Sequence, residues 1–509
     1  MQAANRVVIN TVIQYIQLIV NVLVGLVSIR LILGALGKDD YGIYSLVGGV
    51  IALISFISAS IAQTSVRYIS VSLGTGDIKQ VRETVSSCFS LHFYMSFMLV
   101  LLLELLVPLL FNGFLNIPVS RLTAAKMVYH CMVLTLFLNI SNSPFNAVLY
   151  AHEKFIITSS VAILNAVLKL CIAIYISIVT SDRLIIYGLL MASITVIEVL
   201  CYQIIIRRMY PNEISFRLRR IREIKHIASF AGWTLFDTAG SMFTNQGYAI
   251  LYNKFFGPAM NTVYGLSQQL VGNVYSISRS VVTTFKPQVM KSYGSGDKKR
   301  AMRLSMTAGK MGFFMMSLVA IPLIVMMPDV LDLWLKRGNY PTETIFFSRL
   351  MIVDILLEQL TVGLVFSNQA IGNVKWFSII VSTIRMLAIP ASIICFLLGL
   401  SVEWGVIMCL VFEGSSSISR VFVMSKIAGI SVRSFFKDVF LGVTPAFLIS
   451  FAVCWFIYGY LKGIWGMIVV VIITAIVFVI ASYYISFTKE ERTSLLGIIN
   501  SFVGKIKRK

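Results

Sequence analysis

Gly74-Thr75-Gly76-Asp77-Ile78-Lys79 and Gly294-Ser295-Gly296-Asp297-Lys298-Lys299 are two copies of one turn, set 220 residues apart in a chain of 509. Two further pairs keep almost the same offset. Tyr41-Gly42 matches Tyr264-Gly265 at 223 residues, and Lys154-Phe155 matches Lys375-Trp376 at 221. Three coincidences at one spacing indicate an internal duplication. In each turn glycine can close one helix and aspartate can cap the next. A phosphate-cradling loop is the competing reading of the same residues, and a short glycine pair supports it weakly.

The segments around these turns are apolar at membrane length. Hydrophobic residues make up 58% of the chain and charged residues 13%, with a mean hydropathy of +0.86. A soluble protein carries roughly a quarter charged residues, so a soluble enzyme, a disordered chain and a nucleic-acid module are all excluded. A spanning helix needs about 20 apolar residues. Runs of that kind lie near 7–32, 42–65, 87–111, 127–149, 155–180, 184–206, 228–253, 260–285, 306–328, 344–367, 375–399, 403–425, 439–460 and 463–487. The expected fold is therefore an all-α polytopic membrane protein of about 14 transmembrane helices. Two six-helix lobes, 1–206 and 228–427, are joined by a basic linker at 207–227 and followed by two helices within 428–488 and an interfacial tail at 489–509. In that tail Leu495, Ile499, Phe502 and Ile506 share a helical face ahead of Lys505, Lys507, Arg508 and Lys509, a pattern suited to anionic lipid. Each lobe has an even number of spans, so the repeats share one orientation and leave a cleft suited to alternating access.

The net charge of +21 could be mistaken for a nucleic-acid signal, but its placement is topological. With the N-terminus inside, 29 of the 43 lysines and arginines fall on the inner side, 10 on the outer side, and Lys169, Arg279, Lys310 and Arg385 lie within spans. The positive-inside rule then puts both termini in the cytoplasm. Arg6 precedes the first apolar run without a cleavage site, so no signal peptide is expected. Seven cysteines without C-x-x-C spacing read as small buried hydrophobes, and four scattered histidines form no metal pattern.

Polar residues inside the spans carry the functional information. Span one holds Asn10, Gln14, Gln17, Asn21 and Ser28 on one helical face, and span seven holds Thr234, Asp237, Ser241, Asn245 and Tyr248. Span eight adds Gln269, Asn273, Ser276, Arg279, Ser280 and Thr283. In hydrocarbon such groups must face protein or water, which leaves interhelical hydrogen bonding and a polar cavity as alternatives. Arg30, Lys169, Arg279, Lys310 and Arg385 form a candidate ladder of positive charge. Ion pairs with Glu104, Glu198, Asp237, Asp354, Glu358 and Glu413 are the competing account. A cationic, amide-rich cleft suits an anionic head group bearing hydroxyls, because guanidinium binds phosphate bidentately and amides match sugars.

Arg30-Leu31-Ile32-Leu33-Gly34 followed by Gly37-Lys38-Asp39-Asp40-Tyr41-Gly42-Ile43-Tyr44 resembles the first-loop signature of bacterial polysaccharide repeat-unit flippases. These belong to the MOP superfamily, with MATE exporters and the lipid II flippase. Lys286-Pro287-Gln288-Val289 through Gly296-Asp297 resembles the segment after span eight in that group. The resemblance implies a non-enzymatic flippase for undecaprenyl-pyrophosphate-linked oligosaccharide in the bacterial inner membrane, with membrane lipids around it. A polysaccharide polymerase and chain-length machinery would be its functional neighbours. Arg30 falls on the family motif; the other cations are placed by depth alone. No phosphate-loop motif is present, so a proton or sodium gradient is the expected energy source, no cofactor is expected, and Asp237 is the candidate coupling site. A monomer is expected. A lipid II flippase, a MATE-type exporter and a membrane-embedded polymerase are the alternatives.

Overall fold

The computed structural model describes residues 2–114, 117–335, 340–461, 463–487 and Arg492; the side chains of Arg30 and Lys38 and the interfacial segment expected beyond 492 lie outside what it describes. Every regular element among the described residues is helical. These are α1 (Gln2–Thr75), α2 (Ile78–Leu109), α3 (Leu122–Ala151), α4 (Phe155–Ile178), α5 (Arg183–Met209), α6 (Ile221–Phe256), α7 (Pro258–Gly294) and α8 (Lys298–Val325). There follow α9 (Met327–Leu335), α10 (Glu343–Ile371), α11 (Val374–Met386), α12 (Ala388–Leu397), α13 (Glu403–Ala428), α14 (Val432–Phe435), α15 (Leu441–Tyr458) and α16 (Gly463–Ala481). Ten helical segments among the described residues are long and apolar enough to cross a membrane. The two arms of α1, together with α6 and α7, occupy the four remaining expected spans. The chain is a multi-pass integral membrane protein.

Spans one and two differ from the expectation of a loop between them. Helix α1 runs through 33–41 and bends at Gly37, whose φ of 76° only glycine adopts readily. Span eleven is interrupted in turn: α11 ends at Met386 and α12 resumes at Ala388. Pro390 lacks the N–H that would bond the Met386 carbonyl, which accounts for the break.

The chain forms two compact units. One holds residues 10–235 and 291–296; the other holds 1–9, 236–290 and 297–509. The division falls inside α6. In the first unit α3 packs on α2 and α5, with α4 against α5, around Val47, Leu103, Val128 and Tyr129 and a second cluster centred on Ile69, Val85 and Phe145. In the second, α10 packs on α8 and α13 around Tyr252, Val263, Phe347 and Ile352, and α15 and α16 add a smaller core at Ile321, Cys454 and Val470.

Connectors of the first unit sort into two sets. Arg121 at the start of α3 pairs with Asp40 on α1 and with Asp182 at the start of α5. Asp182 also caps α5 through the amides of Leu184 and Ile185. Elsewhere Lys291 pairs with Glu153 at 3.2 Å, His152 with Glu213 at 2.8 Å, and Arg219 with Glu83 at 3.8 Å. The grouping is the one an alternating up-and-down path produces.

The repeated turns do structural work. Asp77 accepts the amide of Lys79 at 2.9 Å, and Asp297 accepts that of Arg300 at 3.0 Å. Gly76 and Gly296 take positive φ, 77° and 83°. A Cβ on Gly74 would come within 2.2 Å of the Lys291 carbonyl oxygen, and one on Gly294 within 2.0 Å of that of Val71. Capping, positive φ and close backbone approach therefore account for the two glycines and the aspartate of each turn.

Candidate functional site

Four helices of the second unit converge on a charged cluster. Arg385, on the last turn of α11, donates Nε to Glu413 Oε2 at 2.6 Å and Nη1 to Ser241 Oγ at 3.0 Å, and lies 3.6 Å from Glu358. Glu413, only 2% exposed, is shared with Arg420 at 3.1 Å. Arg420 also donates to Thr361 on α10 at 2.8 Å, and Ser417 closes the ring to Glu413 at 3.5 Å. Each partner satisfies hydrogen-bonding capacity that lipid could not, the condition for keeping charge at membrane depth. Asp354, one turn before Glu358 on α10, keeps a buried oxygen, Oδ1, without a hydrogen-bond partner among the described residues.

Asp237 joins this cluster by a second rung. Ser382, one turn before Arg385, donates to Asp237 Oδ1 at 2.6 Å, while Ser241, one turn after Asp237, receives Arg385. Thus α6 and α11 are cross-linked twice, once through a carboxylate and once through a guanidinium. The helical spacing of four on α6 and three on α11 makes both contacts possible.

The second feature is the exposed face of α7. Thr262, Gly265, Gln269, Gly272, Asn273 and Arg279 are all exposed along a helix of 37 residues. Positions 262, 265, 269, 272, 276 and 279 alternate steps of three and four, so they form one continuous stripe. Ser276 lies on it and bonds back to its own helix. Arg279 stands within electrostatic reach of Tyr275 and Lys286.

The remaining expected residues separate. Gln17 accepts the Ser159 hydroxyl at 2.6 Å and Asn10 donates to the Glu153 carbonyl at 3.3 Å, so these two residues of the span-one stripe serve contacts within their own unit. Asn21 and Asn245 are exposed. Lys169 is exposed on α4, with its charge felt by Glu198, which Asn165 holds at 2.5 Å. Lys310 is 6% exposed and lines a small pocket with Phe313, Phe314, Phe478 and Ser486. Arg30 has no described side chain. Arg385 is thus held in ion pairs with Glu413 and Glu358.

Sequence reasoning missed Arg420. Its position near the end of span twelve put it among the inner connector bases, yet it is 3% exposed within α13. Its spacing of seven from Glu413 was the available signal, since that places both on one face.

No family model matches the chain. A curated relative, an uncharacterized membrane protein EpsK of Bacillus subtilis (strain 168), is 20% identical over 311 residues. The match spans 60% of each chain, less than two thirds of that relative. Solved structures match more widely. A crystal structure of MATE in complex with MaL6 has a TM-score of 0.71 at 14% identity, over 86% of this chain and 97% of that one. An outward-facing multidrug resistance MATE family transporter of the MOP superfamily has 0.67 at 16% identity, over 86% and 96%. A MOP superfamily transporter from Pyrococcus furiosus Vc1 (DSM3638), whose binding pocket is described as reversed in polarity, has 0.69 at 15% identity, over 85% and 96%. The structural neighbours are transporters, and the chain has the fold of MATE transporters of the MOP superfamily.

Proposed function

We propose that the protein is a flippase that moves undecaprenyl-pyrophosphate-linked oligosaccharide repeat units from the cytoplasmic to the periplasmic leaflet of a bacterial inner membrane. The observation that carries this reading is the exposed stripe of Gln269, Asn273 and Arg279 on a membrane-length helix. Such a face is costly against hydrocarbon and favourable against water or a polar ligand. Amides answer sugar hydroxyls and a guanidinium answers a diphosphate. A transporter of this fold has a reversed pocket polarity that suggests a different function, in keeping with a departure of that kind here. Alternating access by the two repeats supplies the movement, and both termini face the cytoplasm.

Asp237 is the coupling residue in this scheme, with proton or sodium as the driving ion. Its carboxylate receives one hydroxyl from Ser382 and shares a helix with the serine that receives Arg385. A change in its charge would therefore be felt at once by the α6–α11 cross-link.

The test uses proteoliposomes loaded with a fluorescent lipid-linked oligosaccharide and an impermeant quencher. Gradient-driven appearance of label in the opposite leaflet, lost in Arg279→Ala and made gradient-independent in Asp237→Asn, supports the proposal. Gradient-driven efflux of a cationic dye with no movement of the oligosaccharide would instead assign the chain to the exporter branch.

A further inference from the structure

The linker between the two repeats is held in place by its backbone. Ser86 donates to the Arg217 carbonyl at 2.5 Å, the Arg219 amide donates to Ser90 Oγ at 2.8 Å, and Tyr94 donates to the Arg219 carbonyl at 3.1 Å. Ile214, Ile224 and Ile227 are buried in the core of the first unit. His152 stacks on Tyr210 at 4.0 Å, and Phe216 packs on Phe145 at 5.0 Å under Arg207. Among the linker's cations, Arg207 joins these anchors by stacking on Phe216 and Arg219 by pairing with Glu83 and Glu223, while main chain and apolar or aromatic side chains supply the rest.

The linker's other cations are displayed together. Arg208, Arg217, Arg220, Arg222 and Lys225 are exposed, while the half-buried Arg219 takes up the nearby acids Glu83 and Glu223. Interleaved with them are Leu218, 46% exposed, and Ile221, 72% exposed. Cations alone would suit a solvated loop. Large aliphatics at that exposure beside them are the mark of a surface resting on the boundary between head groups and acyl chains.

We propose that residues 207–225 form a docking platform for anionic phospholipid head groups of the cytoplasmic leaflet, with Arg217, Arg220, Arg222 and Lys225 as the phosphate contacts and Leu218 and Ile221 as the apolar insertions. Each base near an anionic surface is worth on the order of fivefold in affinity. The platform is independent of what the protein transports.

The full-length protein in nanodiscs of equal phosphatidylglycerol and phosphatidylcholine tests this by native mass spectrometry of retained lipid. Retention of phosphatidylglycerol over phosphatidylcholine is expected, weakening with salt and falling at least tenfold in R217Q/R220Q/R222Q/K225Q. An unchanged ratio in that variant overturns the proposal. Benzoylphenylalanine at position 218 of the otherwise native chain gives a second arm that does not depend on the variant's folding. Photo-adducts with phosphatidylglycerol support the platform. Adducts only with protein, or equal adducts in pure phosphatidylcholine, refute it.

Discussion

Helices α7 and α16 are both long enough to cross a bilayer, yet they present opposite surfaces. On α16 the exposed residues include Ile464, Ile468, Val469, Ile472, Ile476 and Ile480, and its few buried ones include Gly466 and Thr474. On α7 the exposed stripe carries Gln269, Asn273 and Arg279, while the apolar Val263, Val271, Val274 and Val281 are buried. Two helices with such opposite faces cannot share one solvent. Lipid suits α16, because apolar contact with acyl chains leaves no donor stranded. Water or a hydrated ligand suits α7. The difference teaches that membrane helices here are read by which face is covered, not by how apolar they are on average.

That contrast is open to attack in several places. The largest effect falls inside the protein, where neither solvent reaches. Arg385→Ala leaves Glu413 buried with one fewer cation, and removing one partner of such a pair costs about 3–5 kcal/mol. Thermal unfolding in detergent should show a sharp loss of Tm, with Glu413→Gln in the same chain restoring part of it; an unchanged Tm would mean the cluster is solvated. Next, Ile472→Arg places charge on the lipid face of α16 at a cost of about 2.5–3.5 kcal/mol. The yield of inserted protein should fall accordingly, and normal yield would show that α16 does not meet lipid. Arg279→Ala, on the opposite kind of face, should alter stability by no more than about 0.5 kcal/mol while transport is lost. A Tm shift as large as that of the Arg385 variant would place Arg279 in a structural pair and remove the distinction between the helices.

Sequence carried the architecture further than the site. The all-helical membrane fold was legible in the apolar runs, because hydrophobic periodicity acts locally along the chain. Asp237 and Arg385 could each be singled out, since a charge in an apolar run is conspicuous. Their connection through Ser382 and Ser241 was not legible, because it depends on how α6 rotates against α11. Gln17 and Gln269 illustrate the same limit. Both are amides at mid-span, but only the covering of one by Ser159 distinguishes a packing residue from an exposed one. Lys169 and Arg420 show that depth along a helix does not by itself predict burial, since Lys169 is exposed at mid-span and Arg420 is buried near a span's end.

The smallest effect tests the rim rather than the spans. Asp182 is a third exposed, and burial alone would raise its carboxyl. The hydrogen bonds from Arg121 and from the Ile185 amide outweigh that and hold it below the ordinary carboxylate value. A group whose folded value is depressed contributes stability that is present above its unfolded value, about 3.9, and is lost as pH falls through the folded one. The Tm difference between the native chain and Asp182→Asn should thus be small, constant from neutral pH down to about pH 5, and should close only below about pH 4. Partial solvent exposure keeps the contribution near 1 kcal/mol or less. A gap that instead widened on acidification would mean Asp182 is protonated in the folded chain, and the Asp40–Arg121–Asp182 clamp would then hold by Asp40 alone.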